Sequence, residues 1–143
     1  NNKLIDRLIL KKRNQSIDLK KSFYTPKGKQ SAINILQAIK NKSSMIILID
    51  QKDSAGENVK LFNIITKTQI GFLKIARNYN LKIIPLKNTR HNNNHFTINF
   101  YPAIRPFEKN ISDAEAMLSI HKIIEKWILE NPTQWLWQHN RFN

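Results

Sequence analysis

The chain has 143 residues, a length that suits a single domain able to bury a core. It has no Cys, which excludes a disulfide scaffold, a thiolate nucleophile and Cys-based zinc or iron–sulfur sites. Lys and Arg number 24 against 10 Asp and Glu, a net charge of +14, which calls for an anionic partner, either nucleic acid or an anionic membrane surface.

The chain opens Asn1-Asn2-Lys3, with neither Met nor the apolar segment of a secretory signal, and this reads as a trimmed chain or a fragment. Leu4, Ile5, Leu8 and Ile9 share a helical stripe opposite Asp6, Arg7, Lys11 and Lys12, predicting a short basic amphipathic helix over 2–13. Residues 14–28, with Pro26 and Gly28, read as a loop, and Ala32, Ile33, Leu36 and Ile39 mark a second helix over 29–41. The apolar, β-branched run at 44–50 reads as a strand buried on both faces, with a polar, Gly56-containing loop over 51–58 after it.

Phe72, Leu73, Ala76 and Tyr79 suit a helix over 67–79, and 81–86 is a second apolar run with Pro85 near its end. After a turn at 90–94, Phe96, Ile98 and Phe100 alternate with Thr97, Asn99 and Tyr101 as in a half-exposed strand. Ser112 and Glu115 form a capping-box pattern that opens a helix running to about Asn131. Its stripe is Met117, Ile120, Ile124, Trp127 and Ile128, and Pro132 either ends it or starts a new turn at the N1 position. The alternation of helices and strands predicts an α/β fold with a mixed sheet flanked by helices.

The chain has no Gly-rich nucleotide-binding motif. His91 and His95 flank an Asn run that reads as a turn, where His side chains are ordinarily solvated rather than metal-bound. His121 and Glu125 form an (i, i+4) pair that reads more naturally as a surface or half-buried contact than as an acid–base dyad. Asp50-Gln51 would stand at the carboxyl end of a strand, where open parallel sheets bind ligands, although a loop-capping role for Asp50 fits the residues equally well. In the tail, the Trp135 and Trp137 indoles are expected to plug the core, with Arg141 offering its fork of donors to an anion or carboxylate.

That tail, Pro132-Thr133-Gln134-Trp135-Leu136-Trp137-Gln138-His139-Asn140-Arg141-Phe142, resembles the PEQW-x-W-x-HRRF ending of the lipid A biosynthesis lauroyl/myristoyl acyltransferases. Asn2-Lys3-Leu4-Ile5-Asp6 is similar to the family's N-P-L-L/I-D segment, and Arg13 falls on the Arg of its Gly-Arg pair. Ile49-Asp50-Gln51 is similar to its DQ or DH strand end, Ile83-Ile84-Pro85 with Arg90 to its vP…R block, and Ile123-Ile124-Glu125 to the iE of its penultimate helix. The matches are collinear over nearly the whole chain. Asn140 replaces the first Arg of the tail, His121 a family Asn, and Phe62-Asn63 stands where Phe-Phe-Gly is usual.

The resemblance implies a glycerolipid-acyltransferase-like fold, peripheral at the cytoplasmic face of a bacterial inner membrane. It implies transfer of a fatty acyl chain to a hydroxyl of a phosphorylated glycolipid acceptor. The donor would be acyl-carrier protein or acyl-CoA, with no other cofactor and no metal. The family's His-x4-Asp/Glu motif supplies a general base and the carboxylate that orients it. No His here fits that motif: Phe96, Phe100 and Lys126 stand five residues after His91, His95 and His121, and His139 is too close to the end.

The sequence therefore reads as the C-terminal portion of a single acyltransferase domain, 1–143, with the N-terminal part missing and a separately encoded N-terminal half as a candidate partner. No catalytic residue is assigned. The resemblance implies that Arg13 holds an acceptor phosphate or the acyl thioester end. It also implies that Asp50 and Gln51 line the site, that Arg90 sits at its rim, and that His139 and Arg141 support it from the tail. The alternatives are a non-catalytic basic membrane-binding remnant and a nucleic-acid-binding module. The chain lacks the signatures of the latter, so nucleic acid is not expected as a partner.

Overall fold

The computed structural model describes residues 3–16, 18, 24, 29–105, 110–138 and 140–142. Two compact units divide the chain at Ile47/Leu48. The first holds α1 (Lys3–Gln15) and α2 (Lys29–Lys40), both where the apolar spacing places them. Helix α2 ends in a Schellman turn: Lys42 takes a left-handed φ of 54° while Ser43 N–H donates to Ala38 O at 2.8 Å.

The second unit is built on a hairpin of β1 (Lys52–Leu61) and β2 (Ile64–Thr68). Its two-residue turn places Phe62 at φ 50° and Asn63 at φ 62°, as a type I′ turn requires. A bulky aromatic in the left-handed region is strained, and the Phe62 N–H is held by Glu125 Oε1 at 2.7 Å. Near the start of β1 the register breaks, so that Lys52 and Glu57 both oppose Thr68. Gly56 occupies this bulge because a Cβ there would lie 2.3 Å from Thr68 O.

After β2 come α3 (Gly71–Asn78), a second antiparallel hairpin of β3 (Leu86–Arg90) and β4 (Phe96–Phe100), and α4 (Asp113–Glu130). The capping box at Ser112 and Glu115 is formed reciprocally, with Glu115 N–H to Ser112 Oγ at 3.2 Å and Ser112 N–H to Glu115 Oε2 at 2.8 Å. Ala116, Met117, Ile120, Ile124 and Ile128 form the buried stripe of α4, clustered with Val59 and Leu61 of the hairpin and Leu73 of α3. Arg77 ties α3 to the start of α4 through Asp113 Oδ1 at 2.7 Å and Ile111 O at 2.9 Å.

The described residues thus mix helices with two small antiparallel sheets, compatible with an α/β fold. Three expectations are corrected. Residues 44–50 do not form a buried strand: Ile46 is 86% exposed and Leu48 71% exposed, and no ladder includes them among the described residues. A strand covered on both faces needs hydrogen-bonded neighbours on both edges, and here the pairing is local, between β1 and β2. For the same reason the expected loop over 51–58 is mostly β1, and Asp50 stands in a bend before an antiparallel strand rather than at the end of a parallel one. In the apolar run at 81–86, Ile83 forms an isolated bridge to Ile104 and Leu86 opens β3. Pro85 has no N–H to give a ladder, and the strand begins after it.

Candidate functional site

The second unit gathers its buried polar groups where α4, the β1–β2 hairpin and the tail meet. On β2, Thr66 and Thr68 point the same way, two residues apart, and both are buried. Thr66 Oγ1 donates to Val59 O at 2.9 Å and lies 3.3 Å from Thr68 Oγ1. Arg141 comes to this pair from 73 residues further along the chain. Its Nη1 donates to Lys67 O at 2.6 Å and its Nη2 to Thr68 Oγ1 at 2.7 Å.

Arg141 is only 2% exposed, and its Nε has no hydrogen-bond partner among the described residues. Burial works against its charge and the nearby Asp50 carboxylate works for it. Arg141 lines a cavity of about 60 Å³ together with Asp50, Gln51, Trp135 and Leu136. That space suits one or two waters or a single small oxyanion group, not a whole lipid.

Two α4 side chains hold the hairpin under this cavity. His121, 1% exposed, meets Lys60 O through Nδ1 at 2.7 Å. A carbonyl only accepts, so Nδ1 carries the proton and Nε2 keeps its lone pair, facing Arg141 Nη2 at 3.5 Å. Burial pushes the His121 pKa below its ordinary value; the Lys60 carbonyl opposes this and the Arg141 charge adds to it. Glu125 accepts from Phe62 N–H and, at 2.8 Å, from Lys122 Nζ. Burial pushes the Glu125 carboxyl upward, but the Lys122 and Phe62 donors outweigh it and hold it below its ordinary value. The (i, i+4) pair is therefore buried, with each member engaged by its own partner on the hairpin.

The structure brings Asp50, Gln51 and Arg141 to one cavity. Arg90 joins the tail through backbone: its N–H donates to Gln134 Oε1 at 2.8 Å and its carbonyl accepts from Gln134 Nε2 at 3.0 Å. The Arg90 guanidinium turns back on its own hairpin, to Asn94 Oδ1 at 2.9 Å and over the Phe96 ring at 5.9 Å. Arg13 lies in the first unit, in the last turn of α1, with its guanidinium 5.8 Å from the Tyr24 ring centre. His139 lies outside the described residues.

The double plug expected of the tail is half formed. Trp135 packs against the core, whereas Trp137 is 55% exposed and its Nε1 donates to Pro132 O at 2.7 Å. The anion partner expected for Arg141 is replaced in large part by Lys67 O and Thr68 Oγ1. Thr66, Thr68 and the role of His121 escaped the sequence reading. The faint signals were the Thr-x-Thr alternation and a His beside the apolar stripe of α4.

No helix among the described residues is long and apolar enough to cross a membrane. A search of curated proteins finds no match to the chain. A family model, bacterial lipid A biosynthesis acyltransferase, matches residues 1–143, the whole of the sequence. Its span takes in both the α1–α2 unit and the Arg141 cluster, and the chain belongs to the bacterial lipid A biosynthesis acyltransferase family.

Proposed function

We propose that the chain works in transfer of a fatty acyl group from acyl-carrier protein to a hydroxyl of a phosphorylated glycolipid acceptor, as the substrate-holding part of the transferase. The observation that carries this is the family match across 1–143. The proton-abstracting His-x4-Asp/Glu dyad is absent from the sequence, so the base comes from another polypeptide segment. Arg13 holds an acceptor phosphate or the thioester end of the donor. Asp50 and Gln51 line the site, Arg141 and His139 support it, and Arg90 stands at its rim. The net charge of +14 suits peripheral attachment to the anionic cytoplasmic face of the inner membrane. The glycerolipid-acyltransferase fold is completed together with the dyad-bearing segment.

Binding of the phosphorylated acceptor in neutral detergent micelles tests the reading. The chain is expected to prefer the phosphorylated glycolipid over its dephosphorylated form, and Arg13→Gln to weaken that preference about tenfold, the order of one charge-assisted contact. Equal affinity for the two lipids contradicts it. The absent dyad also favours a second reading, a basic lipid-binding protein with no chemistry. The two part on whether a segment carrying the dyad restores transfer.

A further inference from the structure

Exposed apolar surface and positive charge coincide in the first unit. Residues 1–47 hold eleven Lys and Arg against two Asp and no Glu, +9 of the chain's +14. Helix α1 alone carries Lys3, Arg7, Lys11, Lys12 and Arg13 against Asp6. On the same helix Ile5 is 53% exposed, Leu8 63% and Ile9 44%.

At 3.6 residues per turn, Ile5, Leu8 and Ile9 fall within a sector about 100° wide, and Lys12, expected opposite the apolar stripe, falls inside it instead. Lys11 and Arg13 border that sector, and Leu10 lies nearly opposite its centre. The aliphatic stem of Lys12 continues the apolar stripe while its ammonium reaches outward. An apolar strip edged by cations matches the boundary of an anionic bilayer, where acyl chains lie beneath phosphates. A second copy of this chain would meet the strip but set its bordering cations against like charge.

We propose that α1 lies in the plane of an anionic bilayer, with Ile5, Leu8 and Ile9 in the acyl boundary and Lys11, Lys12 and Arg13 among the phosphates. This rests on the membrane-associated acyltransferase reading and deepens it. It names the docking element, and it puts Arg13 at the depth where acceptor phosphates reside.

The absence of native Cys makes the test clean. Leu8→Cys and Leu10→Cys, each carrying an environment-sensitive fluorophore, are mixed with vesicles of phosphatidylglycerol and phosphatidylcholine or of phosphatidylcholine alone. The label at position 8 is expected to shift to the blue with anionic vesicles only, and the label at 10 to stay unshifted. Lys11→Gln with Lys12→Gln is expected to lower partitioning roughly 30-fold. The assignment is overturned if both labels shift alike, if neutral vesicles act equally, if nothing binds, or if position 8 is already in an apolar setting without vesicles. Acceptor binding in neutral micelles separates the two readings. Vesicle docking lost with acceptor binding intact overturns the α1 assignment alone, and the reverse overturns the functional reading alone.

Discussion

His121 and Arg141 face each other in the buried heart of the second unit, with Nε2 and Nη2 3.5 Å apart and the His proton committed to Lys60 O. The contact suits a neutral imidazole. A proton on Nε2 would set two cations against each other in a site of low dielectric, each on a side chain at most 2% exposed.

Folding lowers the His121 pKa below 6.5, so as pH falls the unfolded chain takes up this proton first. The stability associated with His121 is full above about pH 6.5 and is lost as pH drops through the lower folded value. Glu125, also held below its ordinary 4.5, adds a separate loss in more acid solution. Melting temperature followed by circular dichroism should therefore begin to fall just below pH 6.5. Asn at 121 donates to a carbonyl and accepts from a guanidinium without titrating. His121→Asn should keep the fold and remove the first loss, and an unchanged slope would refute the assignment.

Arg141 fastens the tail to β2 through Lys67 O and Thr68 Oγ1. Arg141→Met removes both donors and leaves Thr68 buried beside an apolar chain. Urea unfolding should show a loss of about 3 kcal/mol, the scale of charge-assisted hydrogen bonds withdrawn from a buried acceptor. A loss below about 1 kcal/mol would show that the tail is held chiefly by Trp135.

Gly56 is fixed by crowding. Gly56→Ala places a methyl 2.3 Å from a backbone oxygen, so the bulge must open or the β1–β2 register must slip. About 2 kcal/mol of destabilisation is expected, read in the same unfolding assay. At the hairpin tip the effect reverses. Asn63→Gly at φ 62° relieves a left-handed side chain and should stabilise by about 0.5 kcal/mol.

The long helix α4 was readable in the sequence because its signals are local. Ser112 and Glu115 fix its start, the Met117–Ile120–Ile124–Ile128 stripe fixes its buried face, and Pro132 follows its end. Helices α1 and α2 were legible for the same reason. The run at 44–50 misled because apolar content reports a wish for burial but names no edge partner. Strand β1, Lys-Asp-Ser-Ala-Gly-Glu-Asn-Val-Lys-Leu, looked like a loop because its pairing depends on a turn at 62–63 and on a bulge at Gly56. Asp50, Gln51 and Arg141 were picked out through motif likeness. What Arg141 touches was hidden, because Thr68 and His121 reach it only after the hairpin, α4 and the tail have all folded.

The central claim is that this chain holds substrate for acyl transfer while the base resides elsewhere. It is tested most directly by following acyl transfer from labelled acyl-carrier protein to the phosphorylated glycolipid, with the purified chain alone and with a segment bearing His-x4-Asp/Glu. The account predicts no transfer above background from the chain alone and transfer when both are present. Transfer by the chain alone, at a rate unaffected by adding that segment, would contradict it.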